Sequence, residues 1–141
     1  MAKFLGALFV ILLIASSGAL GQDDIYRTAN VAAGQAVRIA VFSNVSKECT
    51  LGPLPELSVT AMPKQGTLVV KRGKVRAGTI RRCPDLSAPV QAAFYQAKTN
   101  FVGTDEVVLS VKVNGQVRKY TIAINIRERA VPNDKQKPVE L

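Results

Sequence analysis

Past its first twenty-odd residues, this 141-residue chain is predicted to fold as an all-β antiparallel sandwich. Three observations carry the prediction. Alternating or β-branched runs recur from Val37 to Ile126, with Gly, Pro and Asn punctuating them. No segment after Gln22 keeps a helical period over three turns. Asn114-Gly115 joins two of the runs with the residue pair that suits a two-residue type I′ hairpin, whose central positions both need φ > 0.

The elements follow in chain order. Met-Ala-Lys opens the chain, the uncharged stretch Phe4–Ala15 follows, and small residues lead to Gln22. This is the three-part pattern of a secretory signal, and residues 1–21 are read as one, with a signal helix cut after Gly21 or after Ala19. A helix over the 12 residues Phe4–Ala15 covers only about 18 Å, against a hydrocarbon core of roughly 30 Å. In Val37–Phe42 the alternation puts Val37, Ile39 and Val41 on one face. Leu57–Met62 alternates and ends at Pro63. Gly66–Val70 is a short strand, and Lys71-Arg72-Gly73-Lys74 reads as an exposed turn after it. Gln91–Gln96 carries Phe94, expected in the core, and Tyr95, expected half-buried on the other face. Glu106–Val113 leads into the hairpin, and the return strand Val117–Ile126 puts Tyr120, Ile122, Ile124 and Ile126 on one face. Phe101 is expected to anchor its loop in the core. Residues 22–128 are therefore read as one domain and 129–141, with two prolines, as a flexible tail.

Export makes sense of the cysteines. Cys49 and Cys83 are the only two, and an oxidising compartment pairs them. The expected location is periplasmic or secreted. Composition excludes much else. With no His there is no imidazole base and no Ser-His-Asp triad, and two Cys cannot build a four-cysteine metal site. Asp105-Glu106 is no cage for a hard cation, so neither metal nor cofactor is expected. Asp105 reads as a turn residue whose carboxylate bonds nearby backbone N–H groups. Cys49 lacks a His partner as a nucleophile. Asn44-Val-Ser46 matches the glycosylation pattern and is taken as chance. No enzyme activity is expected.

Charge is unevenly spread. Residues 49–84 hold seven bases against Glu56, a net +6 in a chain of net +9, and no carboxylate lies between Met62 and Cys83. Lys71, Arg72, Lys74, Arg76, Arg81 and Arg82 are the candidate anion-binding residues, point charges and forks for phosphate or carboxylate groups. Basic residues at a strand edge also keep it from pairing with other chains. Specific nucleic-acid binding is not expected, because no aromatic residue falls between Phe42 and Phe94 to provide a stacking platform.

Pro63-Lys-Gln-Gly-Thr67, Phe94-Tyr95, Asn100-Phe-Val-Gly-Thr-Asp105 and the hairpin at Asn114-Gly115 together resemble bacterial cadherin-like and immunoglobulin-like domains, in the form of a small single-domain periplasmic protein. The likeness spans Met62 to Ile126. It implies an immunoglobulin-like β-sandwich and transfers no activity. The expected function is that of an exported non-enzymatic binding or structural domain of the cell envelope, meeting anionic polymers or lipid through its basic edge. The alternative is a protein-interaction module, a subunit, chaperone-like partner or inhibitor, that pairs through an edge strand.

Overall fold

A computed structural model describes residues 23–130. The expected signal segment 1–21 and residues 131–141 of the expected tail lie outside them. Seven strands are present: β1 (Asp24–Ala32), β2 (Ala36–Ser43), β3 (Glu56–Ala61), β4 (Gly66–Val75), β5 (Ala88–Ala97), β6 (Gly103–Val113) and β7 (Gln116–Arg127). They form a four-stranded sheet in the order β1-β7-β6-β3 and a three-stranded sheet in the order β2-β5-β4. The described part is all-β, as the alternation predicts.

The β6–β7 hairpin is the longest pairing, running from Gly103 opposite Ile126 to Val113 opposite Gln116. Asn114 at φ 50° and Gly115 at φ 80° close it with the expected turn geometry. Its inner row, Tyr120, Ile122, Ile124 and Ile126 facing Val107, Leu109 and Val111, forms half of the core. The other sheet contributes Ile39, Ala40, Phe42, Ala93, Tyr95 and Ala97.

Four features depart from the sequence reading. β1 has no counterpart among the runs that start at Val37; it runs parallel to β7, from Asp24 opposite Lys119 to Ala32 opposite Arg127. In β2 the register shifts between Arg38 and Ala40. Such a bulge rotates the following residues by one position, so Ile39, Ala40 and Phe42 are buried and Val41 leaves the row assigned to it. β4 does not stop at Val70. Lys71-Arg72-Gly73-Lys74 is not a turn but ladder, each residue paired with β5 down to Val75 opposite Ala88. Finally, Tyr95 and Phe94 exchange places, with Tyr95 fully buried and Phe94 half-buried on the outer face.

Candidate functional site

Tyr95 enters the core because its hydroxyl finds a partner there. A buried phenol needs a hydrogen bond, and Tyr95 Oη donates to Asp105 Oδ2 at 2.8 Å. The same carboxylate accepts from the backbone N–H groups of Lys64 (3.0 Å), Gln65 (2.8 Å) and Glu106 (2.9 Å). Asp105 is thus not a local turn residue: two of its donors stand 40 and 41 positions away in the chain. Burial pushes its carboxyl up, but the four donors outweigh that and hold it below the ordinary range. Burial, with the hydrogen bond to Asp105 and its charge, pushes the Tyr95 phenol far above its usual value. The ring leaves no room opposite it. A Cβ on Gly66 would lie 2.5 Å from Tyr95 Cζ. Phe101 packs against the core beside Gly103, whose φ of 150° favours glycine and whose added Cβ would lie 3.0 Å from the Phe101 ring. The Pro63–Thr67 and Asn100–Asp105 segments are therefore two halves of one structural clasp. Asp105 has no free lone pair aimed at a substrate.

The basic residues lie elsewhere. Lys71, Arg72 and Lys74 stand on β4, the free edge of the three-stranded sheet. Register puts Lys71 and Gly73 in the outer row, opposite Ala92 and Val90, with Arg72 and Lys74 in the alternate row, exposed at the edge. Lys71 Nζ sits 6.0 Å from the centre of the Phe94 ring. Lys71, Arg72, Lys74 and Arg38 of β2 surround a shallow groove of about 260 Å³ floored by Val41, Val90, Ala92 and Phe94. Val90 and Ala92 are buried although they face outward; aliphatic stems of long basic side chains cover such surface while their charges stay in water. At Gly73 the groove has room, since a Cβ there would meet only Val90, at 3.8 Å.

The remaining candidates occupy the loop after β4. Arg76 and Arg81 are exposed there. Arg82 is committed to structure: its guanidinium donates to the carbonyls of Ser46 and, at 2.6 Å, of Val45. Beside it Cys49 and Cys83 form the disulfide, with Cα atoms 5.6 Å apart. Arg82 and the disulfide thus tie the loop after β2 to the loop after β4. Asn44 is also engaged, donating to Pro53 O and Asn114 Oδ1, both at 2.9 Å.

The site is therefore narrower in one direction than the sequence reading and wider in another. The structure groups three of the six candidate bases and withdraws Arg82. It adds Arg38, which the sequence reading missed because it lies 33 positions before Lys71. It adds Phe94 too, whose only sequence signal was its place beside Tyr95. The lone ion pair among the described residues, Lys119 with Asp24 at 3.6 Å, lies on the other sheet. The groove's four bases have no carboxylate partner among the described residues.

Comparison with known proteins adds one finding. No protein-family model and no curated protein matches the chain. Among solved structures it is similar to one titled "Solution Structure of Amebosin", at 11% identity and a TM-score of 0.42, over 76% of this chain and 99% of that one.

Proposed function

We propose that this protein is an exported, non-enzymatic binding domain of the cell envelope, an immunoglobulin-like and cadherin-like sandwich that contacts anionic polymer or lipid through the outer face and free edge of its three-stranded sheet. One observation carries the reading: four bases without a carboxylate partner among the described residues surround a groove with an apolar floor. Such a rim attracts polyanions from solution, and the attraction weakens with salt. The floor of Val41, Val90, Ala92 and Phe94 favours an anion attached to an apolar body, as in a lipid headgroup region.

Strand order supports the fold assignment. β2-β5-β4 and β3-β6-β7 match the two sheets of an immunoglobulin constant-type sandwich, except that the first strand joins the last instead of the second. The Cys49–Cys83 disulfide supports export, because disulfides persist in oxidising compartments.

The test is retention of the purified oxidised protein on heparin and on anionic liposomes through a salt series. We expect binding at about 0.15 M salt, lost steeply as salt rises. Lys71→Glu with Arg72→Glu should abolish it, while neutral liposomes retain nothing. Stronger retention on liposomes than on heparin identifies lipid as the partner. Unchanged retention of the double variant would remove the groove from the function. β4 also favours a second reading, pairing with a partner's strand: no described strand pairs with its outer edge over ten residues, and Val69 and Val70 are exposed. A stoichiometric partner held independently of salt would select that reading.

A further inference from the structure

We infer that the opening between the two sheets, at the end carrying the Asn114-Gly115 hairpin, binds a small molecule with one oxyanion, a phosphate or carboxylate on a polar body the size of a monosaccharide. The site shares no base with the β4 groove, and the two can be tested apart.

Two arginines occupy positions that the strand alternation assigns to the core. On β1, Ile25, Ala29 and Val31 pack inward, and Arg27 stands in the same row, opposite Ile122. On β7, Tyr120, Ile122, Ile124 and Ile126 pack inward, and Arg118 continues their row, opposite Val111. An inward charge on an edge strand can serve to block pairing with other chains, which would account for Arg27. Arg118 is paired on its β6 side, one position before β7 begins to pair with β1 at Lys119. An apolar side chain at 118 would extend the core, so arginine there forfeits burial for a charge pointed between the sheets.

Both arginines line a cleft of about 390 Å³, with Ser43, Asn114, Gln116 and Tyr120 also in its wall and no carboxylate among its lining residues. That volume is in the range of small-ligand sites. The wall is held in place. The Arg27 guanidinium carbon lies 5.0 Å from the centre of the Tyr120 ring, which packs edge-on against Phe42 with centroids 4.9 Å apart. Asn114 exchanges amide hydrogen bonds with Asn44 at 2.9 and 3.4 Å. Guanidinium forks match the planar or tetrahedral oxygens of carboxylate and phosphate. The amides of Asn114 and Gln116 both donate and accept, as a body rich in hydroxyls requires. The cation over Tyr120 occupies the ring face, so the ligand is recognised by charge and hydrogen bonds and not by stacking.

The experiment titrates the purified oxidised protein with inorganic phosphate, a hexose phosphate, glucuronate and glucose, following the backbone amide signals of Ser43, Asn114 and Gln116 by NMR. We expect saturable shifts with at least one of the three anions below about 10 mM, and none with glucose. Preference for the hexose phosphate assigns a phosphate ester as ligand, and preference for glucuronate assigns a carboxylate; either supports the site. Arg118→Gln should weaken binding about tenfold, with Arg118→Lys intermediate because it keeps the charge and loses the fork. Arg27→Gln on the exposed edge strand is the second variant, should Arg118→Gln disturb folding. Retention on heparin should follow Lys71 and Arg72 and not Arg118. Absence of saturable shifts with every anion, equal binding of glucose, or anion binding indifferent to both glutamine variants overturns the proposal.

Discussion

At the residue scale the molecule turns on Asp105. A carboxylate that is only 9% exposed persists as an anion because four donors converge on it, and no buried polar side-chain atom among the described residues lacks a partner. Its pKa is depressed in the fold, so its stabilisation is complete above the unfolded value of about 3.9 and is lost as pH falls through the lower folded value. The raised Tyr95 phenol acts at the other end. Its contribution is complete below about pH 10 and is lost as pH rises beyond, while the unfolded phenol ionises. Urea unfolding should therefore show stability falling below about pH 4 and above about pH 10, and Asp105→Asn should cost about 3 kcal/mol at neutral pH and flatten the acid limb. An acid limb of the same slope in the variant would mean that other carboxylates set it. Gly66 is the sharper steric case. Gly66→Ala forces a methyl group against the Tyr95 ring and the Gln96 carbonyl and should cost about 3 kcal/mol; a midpoint shift below about 1 kcal/mol would show that the ring yields. The glycines and the aspartate of this clasp were visible as a motif in the sequence. Their roles were not, because alternation says which residues share a face but not which face meets a hydrogen-bond partner.

At the element scale β4 holds most of the interest. It is an edge strand ten residues long, and Val69 and Val70 remain exposed on it. Unpaired backbone on such an edge is a template for another chain, and lysine and arginine are a recurrent way of preventing that. Replacing Lys71, Arg72 and Lys74 together by threonine should shift the protein toward larger species in sedimentation velocity, whereas the glutamate variants used to test anion binding should not. If the threonine variant sediments like the wild type, the charges are not there to shield the edge. β4 also shows what local reading misjudges. Lys71-Arg72-Gly73-Lys74 looks like a turn because it carries no apolar side chain, but both rows of β4 are exposed there and need none. β1 was missed for a related reason: Arg27 interrupts the row of Ile25, Ala29 and Val31, and its pairing partner lies 95 positions along the chain.

At the scale of the whole molecule, one covalent bond holds two long connections. Cys49 and Cys83, 34 positions apart, join the loop after β2 to the loop after β4, and Arg82 adds two hydrogen bonds to the same junction. Closing a loop of that length stabilises by about 3–4 kcal/mol in the chain-entropy account, before any strain is subtracted. Cys49→Ser with Cys83→Ser should lower the urea midpoint accordingly, with the loss shared by both loops in hydrogen exchange. An unchanged midpoint would mean that Arg82 and the strand ladders suffice. The junction lies at the ends of β2, β4 and β5, where the groove also ends, so looser loops should weaken anion binding as well.

Legible in the chain alone were the all-β class, the hairpin and its turn, the inner row of β7, the only available cysteine pairing and the concentration of charge between Lys64 and Arg82. Each of these is a local or compositional property: strand period, the φ that a turn demands, the count of cysteines, the tally of charge along the chain. The tertiary structure alone decided that Arg38 and Phe94 meet Lys71, that Arg82 is spent on carbonyls, that Asp105 clasps a loop forty residues away, and that Arg27 and Arg118 open into one cleft. These depend on register and on which strands become neighbours. A single bulge in β2 or a parallel pairing of first and last strands changes which side chains meet, and neither leaves a periodic trace in the chain.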